Sequence, residues 1–232
     1  MKENFKKVNA AIIVIGNEIL SGRTQDLNVS FISNWLNEKI GISVKEVRII
    51  HDVEAVIVKT TKKLIKKYNY VFTTGGIGPT HDDITAKSIS KVFKVKYEYH
   101  PEAYTILEKY YGKNKFNLGR KKMSKMPRGS VLIHNPSSAA PGFMIKNVFC
   151  LPGVPSILKS MLGGLRNEIV GGEPILSLTI NLRTVESEIA NSLTKVQDNN
   201  KDVEIGSYPF FKAGKLGVSI VIRSEDQKKI DV

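Results

Sequence analysis

The sequence predicts an α/β fold: a three-layer α/β/α sandwich around a mostly parallel sheet, with a small α+β segment appended at the C-terminal end. Three observations predict it. Short, apolar, β-branched runs alternate with stretches of helical periodicity, the loops leaving those runs are rich in glycine, and Gly171-Gly-Glu-Pro174 separates this pattern from a second, strand-rich one. Strands buried on both faces of a parallel sheet read as continuous apolar runs, and strands alternating with helices imply βαβ units. The expected division is therefore 1–170 and 171–232.

Taken in order, Ala10 to Ile15 is wholly apolar and stops at Gly16, which makes it a covered strand. Val29, Ile32, Trp35 and Leu36 recur at helical spacing, with Asp26 as the expected N-cap and Gly41 as the terminator. Trp35 and Phe31 could belong to the core or to an interface, and the core is the expectation. Val44 to Ile50 alternates as a strand, and Val53 to Ile65 repeats as a helix. Tyr70 to Thr74 is a strand running into Gly75-Gly76. Helices are expected over 84–93, 101–111 and 155–169, and 114–125 is basic and helical or irregular. Three short strands are expected within 130–151. Beyond Pro174, strands over 175–182, around 203–207 and around 216–223 enclose a helix over 185–196.

The chain has 232 residues, of which 41% are hydrophobic and 25% charged, enough for a sizeable core. Lys plus Arg number 35 against 22 Asp plus Glu, a formal charge of +13. Such an excess attracts nucleotides, nucleic acid or acidic lipid, and it also arises by drift on solvated faces. No nucleic-acid recognition motif accompanies it, so nucleic acid is not the expected partner. A single cysteine, Cys150, excludes an intrachain disulfide and a thiolate zinc cluster, and its apolar strand suggests a buried thiol. The run following Lys2, Lys6 and Lys7 is too short for a signal peptide, and nothing reaches membrane-spanning length, so no membrane association and a cytoplasmic location are expected.

In an open α/β sheet, ligands bind beyond the carboxyl ends of the strands. Three loops occupy that position: Gly16 to Gly22, Thr73 to Asp83, and Leu151 to Pro155. In the second, Gly75, Gly76 and Gly78 allow close backbone approach, and the hydroxyls of Thr73, Thr74 and Thr80 could help cradle a phosphate. Read alone, such a run is a tight turn as readily as an anion site. Asp82 and Asp83 could hold Mg²⁺ against phosphate oxygens, or cap the following helix. Glu18 could serve as a metal ligand or base, and Ser21 and Gly22 could meet a ligand. His81 is the one histidine in these loops, and Arg120, Lys121, Lys122 and Arg128 are candidate cations for an anionic ligand.

Thr73-Thr-Gly-Gly-Ile-Gly-Pro-Thr-His-Asp-Asp-Ile-Thr85 resembles the TGG-x-GPT-x-DD-x-T signature of the molybdopterin-binding MoaB/MogA-like domains, in the form carried by the competence/damage-inducible CinA proteins. Ile15-Gly-Asn-Glu-Ile-Leu-Ser-Gly22 is similar to that group's opening block. Asn135-Pro136 through Ala140-Pro-Gly142 and Leu151-Pro-Gly-Val-Pro155 are similar to its later blocks, so the resemblance spans roughly the first 170 residues.

The resemblance implies a three-layer domain that binds a phosphorylated pterin or an adenine-containing pyrophosphate. It implies divalent-metal-dependent hydrolysis of ADP-ribose-like pyrophosphates, with Mg²⁺ or another divalent cation, or a non-catalytic molybdopterin-binding module. A related domain precedes eukaryotic FAD synthetase. Carried onto this chain, Gly75, Gly76 and Gly78 bind phosphate, Asp82 and Asp83 hold metal or orient water, and Gly153 and Ser21 line the pocket. Asn17 stands where many relatives carry Asp, which removes one possible metal ligand. The C-terminal deamidase of full-length CinA proteins is expected to be absent, and a homo-oligomer is expected.

Overall fold

The computed structural model describes residues 8–172, 174–212, 214–224 and 226–231; Lys2, Lys6 and Lys7 lie outside them, as does Glu173. The described residues divide into two compact units, one ending at Gly172 and one beginning after it.

The first unit is built on a six-stranded sheet. Its strands are β1 (Asn9–Ile15), β2 (Ser43–Ile50), β3 (Tyr70–Thr74), β6 (Val131–Ile133), β7 (Gly142–Ile145) and β8 (Val148–Leu151), in the order β2-β1-β3-β8-β7-β6. The first four in that order are parallel, and the β8-β7-β6 end is antiparallel. Because successive side chains alternate faces, β1 feeds both layers. Ala11, Ile13 and Ile15 join one core cluster with α3 (Glu54–Leu64) and α4 (Thr85–Phe93). Ala10, Ile12 and Val14 join another with α2 (Asn28–Trp35) and α7 (Pro155–Leu162). All six side chains are buried, which is why the run shows no polar alternation. Phe72 stacks on Phe149 at 4.8 Å in the second layer, and Trp35 and Phe31 pack against its rim.

Several local expectations change. The first loop contains a short helical turn, α1 (Asn17–Leu20). Asp26 does not occupy the N-cap of α2; Leu27 does, and the Asp26 carboxylate accepts the Val29 N–H at 2.9 Å from one residue further back. α2 continues as a π-helical turn over Leu36–Ile40 and ends at Gly41, whose φ of 73° is left-handed. The helix expected to reach 169 is α-helical only to Leu162 and then tightens into a 3₁₀ stretch over Gly163–Glu168, where two successive glycines weaken the α-helix.

Residues 97–127 hold an antiparallel pair absent from the sequence expectations. β4 (Tyr97–Tyr99) pairs with β5 (Lys125–Pro127), and between them lie α5 (Pro101–Tyr111), a 3₁₀ turn at Lys113–Lys115 and α6 (Leu118–Lys122). Three-residue strands are too short for periodicity to reveal.

The second unit is an antiparallel three-stranded sheet, β10 (Glu204–Lys212), β11 (Lys215–Ser224) and β9 (Leu176–Leu182), in the order β10-β11-β9. It carries α8 (Glu186–Asn199) and a terminal turn, α9 (Gln227–Ile230). Among the described residues no helix is long and apolar enough to cross a membrane.

Candidate functional site

Parallel strands β1, β2 and β3 deliver their carboxyl ends to one edge of the first unit, with β8 beside β3. The loops that leave them are braced by backbone bonds. Gly16 N–H donates to the Ile50 carbonyl, and Gly75 N–H donates to the Leu151 carbonyl at 3.1 Å.

Glycine is required in the β3 loop for two reasons. Gly75 and Gly76 have φ of 100° and 68°. A Cβ on Gly75 would lie 2.2 Å from the Ile15 carbonyl oxygen, and one on Gly76 would lie 2.2 Å from Thr85 Oγ1. Thr85 is fully buried; its hydroxyl donates to the Gly75 carbonyl at 2.9 Å and its N–H donates to the Gly76 carbonyl at 2.9 Å. The first residue of α4 therefore clamps the glycine turn from below. Gly78 is constrained by the acids, since its Cβ would meet Asp83 Oδ2 at 2.8 Å.

The two aspartates do not cap α4. Ile84 occupies the N-cap position without a side-chain bond, and both carboxylates turn back to Thr80. Asp83 Oδ2 accepts the Thr80 N–H at 2.7 Å and its hydroxyl at 2.5 Å, and Asp82 Oδ1 lies 2.5 Å from the same hydroxyl. The Thr80 hydroxyl holds the Asp82 carboxyl below its ordinary range, aided by a backbone N–H and by nearby His81 and Lys122. Burial pushes the Tyr97 hydroxyl up to about 12, and the charges of Tyr99 and Asp83 push the same way.

The other expected residues fall into three groups. Ser21 and Gly22 lie exposed at the end of α1, with the Ser21 hydroxyl donating to the Glu18 carbonyl. Gly22 has a φ of 73° and open space around it, so conformation rather than close approach requires it. Glu18 is exposed and folds over Gly16, where an added Cβ would meet its carboxylate at 2.6 Å. Gly153 packs against Gly75, its Cβ position 3.4 Å from that residue's Cα.

Thr74 corrects the expectation that its hydroxyl lines the cradle. It is 1% exposed, accepts from Asn28 Nδ2 at 2.7 Å and donates to the Pro152 carbonyl at 3.0 Å, so its hydroxyl is consumed inside the protein. Of the four candidate cations, Lys122 reaches the loop, donating to the Thr80 carbonyl. Arg120 binds the Lys115 carbonyl and covers Tyr111, Lys121 covers Phe116, and Arg128 is held by both oxygens of Glu98. Cys150 is fully buried, and burial pushes its thiol up to about 12, so it is no nucleophile in the folded chain.

Two residues were missed from sequence. Asn28, 3% exposed, donates to both Thr74 Oγ1 and the Gly153 carbonyl at 2.8 Å, tying two ligand loops together; its Oδ1 is buried without a partner among the described residues. The available signal was a polar residue in register with buried Ile32, Leu36 and Ile40. Asp52, just past β2, accepts the Asn17 N–H at 2.9 Å. Burial raises its carboxyl, and the charges of Glu18 and Asp82 push the same way. Its position beyond a parallel strand end was the signal.

Among the described residues no group of three or more His, Cys, Asp or Glu side chains could hold a metal ion. Asp82 and Asp83 bring two carboxylates to one turn, both on the Thr80 hydroxyl.

Comparison with known proteins finds a match in each unit. Residues 11–170 match the family model described as a probable molybdopterin binding domain, and residues 174–232 match the middle domain of FAD synthase. A protein of Archaeoglobus fulgidus is 34% identical over 94% of this chain and 92% of its own. A probable FAD synthase of Caenorhabditis elegans is 29% identical over 97% of this chain, which spans about half (48%) of that relative's length. The crystal structure of the protein CinA from Thermoplasma acidophilum superposes with a TM-score of 0.65 at 32% identity, covering 70% of this chain and 99% of that one.

Proposed function

The chain belongs to the probable molybdopterin-binding domain family, and from that premise we propose that its glycine-loop site binds a phosphorylated pterin or an adenine-containing pyrophosphate and hydrolyses ADP-ribose-type pyrophosphates with a divalent cation. The observation that carries this reading is the Thr80–Asp83 turn, which gathers two carboxylates on one threonine beside the glycine run.

The division of labour follows from chemistry. Mg²⁺ or a similar ion, when bound, supplies Lewis-acid polarisation of phosphoryl oxygens. Backbone amides at Gly76 and Gly78 bind phosphate, Gly75, whose own N–H is held by the Leu151 carbonyl, lets the ligand approach the turn closely, and Thr74 supports the loop from behind through Asn28. Ser21, Gly22 and Gly153 line the pocket. Asp82 and Asp83 would hold the cation, with its remaining positions left to water and ligand oxygens, Glu18 would add a further acid from the first loop, and Asp83 would orient the attacking water. Lys122 offsets phosphate charge from the Thr80 side. Asp52, which accepts the Asn17 N–H, fixes the start of the first loop beside the site. The same reading includes a homo-oligomer in the cytoplasm.

A second reading, a molybdopterin-binding module without catalysis, is favoured by the match of residues 11–170 to the probable molybdopterin binding domain. Incubating the protein with ADP-ribose, FAD, NAD or CoA plus Mg²⁺, Mn²⁺ or Co²⁺, with products followed by mass spectrometry, separates the two. Cleavage to AMP that disappears in Asp83→Asn supports the hydrolase. No cleavage by folded protein rejects it and makes molybdopterin affinity the deciding measurement.

A further inference from the structure

Between residues 94 and 128 the sequence carries ten lysines and arginines against three glutamates and no aspartate, so a net +7 of the chain's +13 sits in that segment. Among its described residues one ion pair forms, Arg128 with Glu98. The segment folds around Ala103, Leu107, Phe116 and Met126, all buried, so its packing does not depend on the cations.

The cations are interleaved with rings. Tyr99 meets Tyr104 edge-to-face at 5.6 Å, and Tyr104 meets Phe116 at 4.9 Å. Each end of this line carries a lysine, Lys125 lying 4.5 Å over Tyr99 and Lys121 lying 5.6 Å over Phe116. In the same segment Arg120 lies 4.1 Å over Tyr111, whose edge meets Tyr110. Tyr99 is 43% exposed and Tyr110 57% exposed.

From this continuous cation–aromatic line we infer that the 94–128 lobe is a binding surface for single-stranded nucleic acid. Lysines take the backbone phosphates, and the exposed tyrosines offer faces on which unpaired bases stack. A duplex keeps its bases stacked on one another and away from such rings, so the preference is for single strands. One small ligand in the glycine loop engages Lys122 and leaves the other cations of the lobe unexplained. The inference is independent of the proposed hydrolysis.

The test is fluorescence anisotropy with labelled single-stranded RNA, single-stranded DNA of the same sequence, and the corresponding duplex, between about 50 mM and about 200 mM salt. The proteins are the full chain, a Lys121→Glu/Lys125→Glu variant, Tyr99→Ala, and a control that reverses two lysines of α3, Lys62→Glu/Lys63→Glu. Single strands bind the wild type, with affinity falling as salt rises. The Lys121/Lys125 reversal weakens binding at least about tenfold and lowers the salt slope by about 0.7 for each phosphate that is no longer neutralised. Tyr99→Ala weakens binding several-fold with the slope unchanged, and the α3 control stays within about twofold. Lys121→Gln/Lys125→Gln reproduces the loss if the Glu variant is unfolded by its thermal melt. Absence of binding at low salt, equal losses in the lobe and control variants, or duplex binding as tight as single-strand binding overturns the inference. The RNA and DNA arms identify which polymer is preferred.

Discussion

Asp83 is bonded twice to Thr80, through the threonine's backbone N–H at 2.7 Å and its hydroxyl at 2.5 Å, so one carboxylate oxygen sets the shape of the loop that follows the glycine run. The substitution Asp83→Asn keeps an oxygen able to accept both bonds and removes the negative charge. The expected result is loss of metal-dependent turnover with a melting temperature within a few degrees of wild type. Asp83→Ala removes the acceptor too and loosens the loop. Full activity in Asp83→Asn removes this residue from the mechanism.

Gly76 permits a second, purely structural test. Its φ of 68° disfavours any L side chain, and a Cβ would stand 2.2 Å from the buried Thr85 hydroxyl. Gly76→Ala is therefore expected to cost about 3 kcal/mol, since left-handed strain and a clash against a fixed group combine. Denaturant unfolding measures the effect. Gly22→Ala, with a similar φ and open space, is expected to cost only the backbone strain, about 1 kcal/mol.

The contrast between Thr80 and Thr74 shows what was legible in the sequence. β1 was readable because burial on both faces makes a strand continuously apolar, β3 because a short β-rich run leads into a glycine turn, and the glycine run because its left-handed angles and close contacts favour glycine. The acid pair was readable as adjacent carboxylates after the glycine loop, and the resemblance gave it a role. The direction of the Thr74 hydroxyl was not legible, because it is fixed by Asn28 and Pro152, which are 46 and 78 residues away in the chain. Asp52 was overlooked for the same reason, its role arising from Asn17, Glu18 and Asp82 across three strand ends. The β4–β5 pair follows from tertiary packing, not from a pattern three residues long.

Asn28 supplies a third prediction. Its amide nitrogen satisfies both Thr74 Oγ1 and the Gly153 carbonyl at a nearly sealed position. Asn28→Leu leaves these groups without their donor and is expected to cost about 2 to 3 kcal/mol. Asn28→Asp is expected to cost more at neutral pH, because a buried carboxylate would face the Gly153 carbonyl, and to recover partly as acid neutralises it. Unfolding free energies at neutral and mildly acid pH measure both effects, and a neutral Asn28→Leu would sink the proposed bracing of the two loops.

Glu46 on β2 predicts one contribution to the acid limb of the stability curve. It accepts from the Tyr68 hydroxyl at 2.7 Å, from Lys67 at 3.0 Å and from Arg48. The Tyr68 bond, followed by Lys67 and Arg48, holds its carboxyl at about 2 against an ordinary 4.5. A carboxyl lowered by folding binds protons more weakly in the folded chain than in the unfolded one. Its stabilising contribution is therefore present above about pH 4.5 and is lost as pH falls from there through about 2. Asp52, raised by burial, works the other way: its contribution is present at low pH and disappears as pH rises through its elevated value. Comparing wild type with Glu46→Gln across the acid range separates the two. The variant is expected to be less stable at neutral pH, to lose less stability on acidification, and to converge with wild type near pH 2. Parallel curves with no convergence would show that the Tyr68–Glu46 network does not govern acid unfolding.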